Sequence, residues 1–220
     1  MKNKVQFVAL TDSDNKPIPA IKAIPDWYKK AKKYNVDGTS SWKSCMAFFD
    51  GFSVGYVFLT PCDIEFKLEN NVPVVNIKDQ KYNKFVSSRD PINDLYTPTG
   101  YFKHHFAWLP EWGIRTPKGY STLYTTPLNN FNLPFLNTNG VIDTDKVFQP
   151  GSVPFFLKES FCGVLPKGTP YAQAIVFKRE DWQSECVVIS EEEISHFKPG
   201  TPRPVNNYYR DNLWERKSYE

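Results

Sequence analysis

WGIRTPKGYSTLYTTPLNNFNLPFLNTNGVIDTDKVFQPGSVPFFLKESFCGVLPKGTPYAQAIVFKRE, residues 112–180, sets short runs rich in Val, Ile, Phe, Tyr and Thr between separators of Gly, Pro and Asn. Runs of this length and composition read as strands, and such separators read as turns. The stretch therefore predicts six strands: WGIRTP (112–117), GYSTLYTTP (119–127), NGVIDTD (139–145), VPFFLK (153–158), GVLPKG (163–168) and YAQAIVFKRE (171–180). A succession of short strands joined by turns implies an all-β fold, a β-sandwich or distorted jelly roll.

The same signals extend in both directions. HFAWL (105–109), GYVFLTPCDIEFKLEN (55–70) and VPVVNIKD (72–79) read as strands, the last two divided by the turn-forming ENN, and CVVIS (186–190) adds a final strand. Residues 87–100 read as loop with one helical turn at Pro91. Nearer the start, VQFVAL (5–10) has strand make-up. After it, Pro25 can open a helix that places Trp27, Tyr28, Ala31 and Tyr34 on one face. Trp42, Cys45, Met46 and Phe49 repeat at helical spacing, and DGFSVG (50–55) reads as a turn before a strand. Ser190 and Glu193 stand at capping-box spacing before another short helix. The tail from 198 to 220 reads as an extended arm or as a terminal helix packing Tyr209 and Trp214 on a neighbour. The economical organisation is one domain: 1–54 a strand with helical decoration, 55–189 the sandwich, 190–220 a C-terminal helix or arm.

Hydrophobic residues make up 40% of the 220 and aromatics 16%, enough for a packed core and too much for a disordered chain. With 27 basic and 24 acidic side chains, the net charge of +3 creates no global field toward nucleic acid or membrane. The local run Lys29, Lys30, Lys32, Lys33 reads as the solvated face of a short helix. No run is long enough for a membrane span, and the first residues lack a signal-peptide core, which places the chain in the cytoplasm of the cell that makes it. Cys45, Cys62, Cys162 and Cys186 lack metal-ligand spacing and read as reduced, mostly buried thiols. His104 and His105 point to opposite sides of a strand and His196 stands alone, so no metal site is expected.

Within the opening stretch, TPKGY (116–120), GVIDTDK (140–146) and KGTPYAQ (167–173) follow in an order and spacing that resembles the core of the trimeric dUTPase and dCTP deaminase superfamily. That resemblance implies a distorted jelly roll and a homotrimer. It also implies that Asp143 activates water for attack on a nucleotide α-phosphorus, with Mg2+ as cofactor. The chain departs from the pattern where the chemistry would sit. Lys146 stands in place of the aromatic residue of the base pocket. TTPLN (125–129) carries no cation for phosphate, Pro127 removes a backbone donor, and the tail has no Gly-rich closing arm. A remodelled site would use Asp143 as base, with Asp145, Lys146, Lys118 and Gln173 as ligand-binding residues.

A second resemblance spans nearly the whole chain. PIPAIKAIPDWYKK (17–30), SCMAFFDGFSVGYVFLTPCDIEF (44–66), TPKGYSTLYTTPLN (116–129), GVIDTD (140–145) and PKGTPYAQAIVFKREDW (166–182) look like a family of uncharacterised proteins encoded mainly by tailed bacteriophages. It implies a viral origin and no particular chemistry. Asp143 and Asp145 share a strand face and remain open to three readings: a solvated strand end, a ligand site, or a catalytic pair. The leading expectation is binding or assembly rather than catalysis, as a virion component or an intracellular protein that binds a host factor or ligand. Trp27, Trp108, Trp112, Tyr209 and Trp214 are the interface candidates for protein partners or self-association. The alternative is a nucleotide pyrophosphatase or deaminase relative, the one reading that calls for Mg2+.

Overall fold

The computed structural model describes residues 4–92, 96–193 and 209–220. Fourteen strands form four antiparallel sheets among these residues: β1 (Gln6–Ala9), β2 (Ile18–Pro19), β3 (Tyr56–Leu59), β4 (Ile64–Glu69), β5 (Val72–Asn76), β6 (Val86–Arg89), β7 (Tyr101–Trp108), β8 (Trp112–Arg115), β9 (Tyr120–Thr125), β10 (Phe135–Asn137), β11 (Gly140–Ile142), β12 (Val153–Lys158), β13 (Gly163–Leu165) and β14 (Pro170–Lys178). The largest sheet runs β11-β9-β14-β3-β2 and the next β10-β12-β7-β6, with β13-β4-β5 and β1-β8 completing the set. The chain is an all-β sandwich, as its turn-punctuated sequence implies.

One core joins all four sheets. At its centre the Trp108 and Phe155 rings stack with centroids 4.0 Å apart, and Tyr171 from the largest sheet meets Trp108 at 5.2 Å. Such ring pairs add about 0.5–1.5 kcal/mol each beyond the area they remove from water. Phe66 carries the three-stranded sheet onto Phe106 at 5.4 Å. Asn137, fully covered on β10, fastens the sheets: Trp108 Nε1 donates to its Oδ1 (3.0 Å), and its Nδ2 donates to the Tyr171 carbonyl (2.8 Å).

Local chemistry sets the turns. Glu69 pairs with Val72 across a two-residue loop in which Asn70 and Asn71 both have positive φ, 52° and 64°. That is the type I′ geometry that matches strand twist, and asparagine tolerates it better than most residues. The helical decoration is shorter and later than its periodicity predicts. α1 (Asp26–Lys30) follows Pro25 but stops at Ala31, whose backbone is extended. α2 (Met46–Ser53) begins after a 3-10 turn at Trp42–Ser44 and runs through Gly51, where the sequence suggested a turn.

Three further expectations are corrected. Ser87–Arg89 is strand rather than loop, because β7 offers β6 a free edge. CVVIS is not a strand: residues 180–190 lie outside every strand. Of the four cysteines only Cys62 is buried, whereas Cys162 and Cys186 are exposed. The capping box does form, with Ser190 Oγ accepting from Glu193 N (3.2 Å) and Glu193 Oε2 accepting from Ser190 N (3.1 Å). The rest of that expected helix, with His196, lies outside the described residues, as do residues 93–95. No helix among the described residues is long and apolar enough to cross a membrane.

Candidate functional site

β11 ends at Ile142, so GVIDTD leaves its sheet as a turn in which the Asp143 carbonyl accepts from the N–H groups of Lys146 (2.8 Å) and Val147 (2.9 Å). Thr144 points inward, and its Oγ1 lies 2.9 Å from both Thr116 Oγ1 and Thr122 Oγ1. With Thr144 anchored, Asp143 and Asp145 are both delivered to the strand end of β14. There Arg179 reaches both: its Nη1 lies 3.0 Å from Asp143 Oδ1, and the guanidinium grips Asp145 through both oxygens. Ser121 Oγ donates to Asp143 (2.7 Å), Lys146 Nζ closes on it at 3.2 Å, and the Gly119 N–H donates to Asp145 (2.8 Å).

The electrostatics follow from those partners. The Arg179 guanidinium and the Gly119 N–H hold the Asp145 carboxyl down at about 2. The Ser121 hydroxyl and the Lys146 ammonium hold Asp143 below the ordinary carboxylate value. A general base works best with a pKa near the operating pH, and a carboxylate stabilised in its charged form accepts a proton reluctantly. The cluster is built as an internal fastening of the 143–146 turn to β9 and β14.

The other expected site residues do not gather there. Lys118 is exposed in the turn before Gly119. Gln173 pairs across from Thr125, four residues along β9 from Ser121, which is about 13 Å of strand. Fully buried, it accepts from the Leu128 N–H (2.7 Å) and donates to the carbonyls of Val54 (2.7 Å) and Gly51 (3.2 Å). It clamps α2 to the outer face of the largest sheet. Arg179, which organises the carboxylates, carried no signal of its own in the sequence. It becomes visible only once β14 is set in register with β9.

Two other places carry functional geometry. An open cavity of about 720 Å³ is lined by Leu10, Asp12, Lys81, Tyr82 and Glu111 among others. Glu111 is buried, with Ser13 Oγ donating to it at 2.8 Å, and its burial pushes its carboxyl pKa up. Sequence reading passed over it, because a lone Glu between prolines and tryptophans has no pattern. Among the described residues no three His, Cys, Asp or Glu side chains converge as a metal ion would need.

The second place is an aromatic face on the helical decoration. Trp27, Phe48 and Phe131 meet with centroids 6.2–6.5 Å apart, and Trp42 packs on Phe48 at 4.9 Å. Trp42 and Phe131 are nevertheless 71% and 65% exposed, and Val36 is fully exposed. A groove of about 430 Å³ runs past Trp27, Ala31, Tyr34, Val36 and Trp42, with Lys32 and Lys43 on its walls.

The expected interface residues divide. Trp27 belongs to this face, whereas Trp108 is completely buried at the core, because both faces of the His105–Trp108 half of β7 are covered. Trp112 is half-buried on β8 against the core. Trp214 docks on its own chain, its Nε1 donating to Asp50 (3.0 Å) beside Lys217 Nζ (2.8 Å), and Tyr209 stays exposed. No family model, no curated protein and no solved structure matches the chain.

Proposed function

We propose that this protein acts by binding or assembly through its aromatic, lysine-rimmed face, and not by nucleotide hydrolysis at GVIDTD. The observation that carries the reading is the exposure of Trp42, Phe131 and Val36 as one neighbouring set on a well-packed body. Clustered exposed aromatics beside basic side chains mark sites where another macromolecule docks. The fastening of Asp143 and Asp145 by Arg179 and Lys146 supports the same reading from the other side, since it ties those two cations to the carboxylates. A virion-associated or host-factor-binding role is what the phage resemblance adds.

The test is incubation of the purified protein with nucleoside mono-, di- and triphosphates and Mg2+, followed by product analysis. No turnover is expected. Turnover abolished by Asp143→Asn would overturn the proposal in favour of a remodelled dUTPase-type enzyme.

A further inference from the structure

Residues 180–193, EDWQSECVVISEEE, contain six acidic side chains and no basic one, while all 27 basic side chains and only 18 of the 24 acidic ones lie elsewhere. The segment leaves β14 and runs without sheet partners to the turn at Ser190. Its apolar side chains face water: Trp182 is 85% exposed and Val188 completely so, with Val187 and Ile189 alongside. β-branched and aromatic side chains held in a segment without sheet partners are the composition of a docking strand.

The chain also carries a surface of the opposite character. The groove past Trp27, Val36 and Trp42 carries Lys32 and Lys43 on its walls. A second groove of about 360 Å³ shares Tyr28 and Lys43 with it and adds Met46, Phe49, Arg210 and Arg216. Of the nearby acids, Asp26 is engaged by Lys29 (3.2 Å), Asp37 by Thr39 and Asp211 by Arg210. Lys30, Lys32 and Lys33 make no ion pair among the described residues. Apolar side chains between acids on one segment match apolar rings between cations on the other, and such charge pairing steers association and fixes register.

We propose that the acidic arm of residues 180–193 docks in the aromatic, lysine-rimmed groove of a second copy of this chain; this rests on the reading of that face as a docking surface. Arg179, pinned to Asp145 and donating its backbone N–H to the Gly119 carbonyl (2.8 Å), fixes where the arm departs. That point is six residues along β14 from Gln173, which touches Gly51 of α2, so the arm leaves the sheet roughly 20 Å of strand away from α2. Arm into groove is a contact between different surfaces, so it generates a reciprocal exchange or a closed ring.

Sedimentation of the full chain over a range of concentrations, at low and high salt, tests this. Two surface variants accompany it: Trp182→Ser with Val188→Ser in the arm, and Trp42→Ser with Lys32→Glu in the groove. The wild type is expected to self-associate and to dissociate as salt screens the charges. Each variant should be monomeric, with the thermal midpoint that the wild type shows in high salt, where it too is monomeric. Their mixture should regain a one-to-one complex, because the groove variant still offers an arm and the arm variant a groove. A monomeric wild type, association that both variants retain, or a mixture that stays monomeric would each overturn the exchange. None of those results touches the binding reading beneath it, which is tested separately by nucleotide turnover and nucleotide binding that depend on Asp143.

Discussion

Arg179 grips both carboxylate oxygens of Asp145 while the same guanidinium reaches Asp143 at 3.0 Å, so one cation at the end of β14 fixes the whole 143–146 turn. Asp145 is nearly covered, its side chain 5% exposed, which shields that pairing from solvent more than the one with Asp143. The folded Asp145 carboxyl ionises at about 2, below the ordinary unfolded value of about 3.9. A depressed carboxylate contributes stability above the unfolded pKa and loses it as pH falls through the folded one. The thermal midpoint of the wild type should therefore fall between about pH 4 and pH 2, and Asp145→Asn should flatten that fall. An equal slope in the two proteins would contradict the pairing.

Gln173 is the second fastening, with its amide satisfied by three backbone groups of α2 and the loop after β9. Gln173→Leu keeps similar bulk but strands a buried N–H and two carbonyls, at a cost of about 2–4 kcal/mol. Urea unfolding measures the loss. A change below about 0.5 kcal/mol, the scale of an ordinary surface substitution, would mean the clamp is not made.

Gly55 has φ of +72°, and a Cβ there would lie 2.1 Å from the Ala174 carbonyl oxygen. Gly168 has φ of +81° with open space around it. Gly168→Ala should cost about 1 kcal/mol from backbone conformation alone. Gly55→Ala adds a backbone clash and should lower the thermal midpoint by clearly more. Equal midpoints would contradict the close approach of β3 and β14.

Thiol labelling of the native protein near neutral pH should modify Cys162 and Cys186 quickly. Cys62 is buried, and that burial, with Asp79, Asp63 and Glu111 nearby, pushes its thiol up to about 11. It should react only after denaturation. Rapid native labelling of Cys62 would contradict the packing around it.

Much of the sandwich was legible because strands and turns are local. The Asn70–Asn71 turn and the Ser190–Glu193 cap needed only neighbouring residues to be recognised. What escaped depends on distant partners. CVVIS has the chemistry of a strand, but a ladder requires an open edge, and its composition says nothing about one. Trp108 was open to interface and core readings alike, because HFAW lacks alternation; both faces of His105–Trp108 are covered, so periodicity could not tell core from rim. The spacing of Asp143 and Asp145 suggested one strand face, but both lie in the turn after β11, and what brings them together is Arg179, 34 positions away from Asp145 and placed only through strand register.

The most direct test of the central claim, that GVIDTD fastens the fold while the aromatic face binds, is a thermal-shift screen against nucleoside mono-, di- and triphosphates, with and without Mg2+. A ligand at about a hundred times its dissociation constant would add about 2.7 kcal/mol, a shift of a few degrees for a chain of this size. The account predicts no selective shift in the wild type and none that distinguishes Asp143→Asn from it. A selective nucleotide shift that Asp143→Asn removes would contradict it.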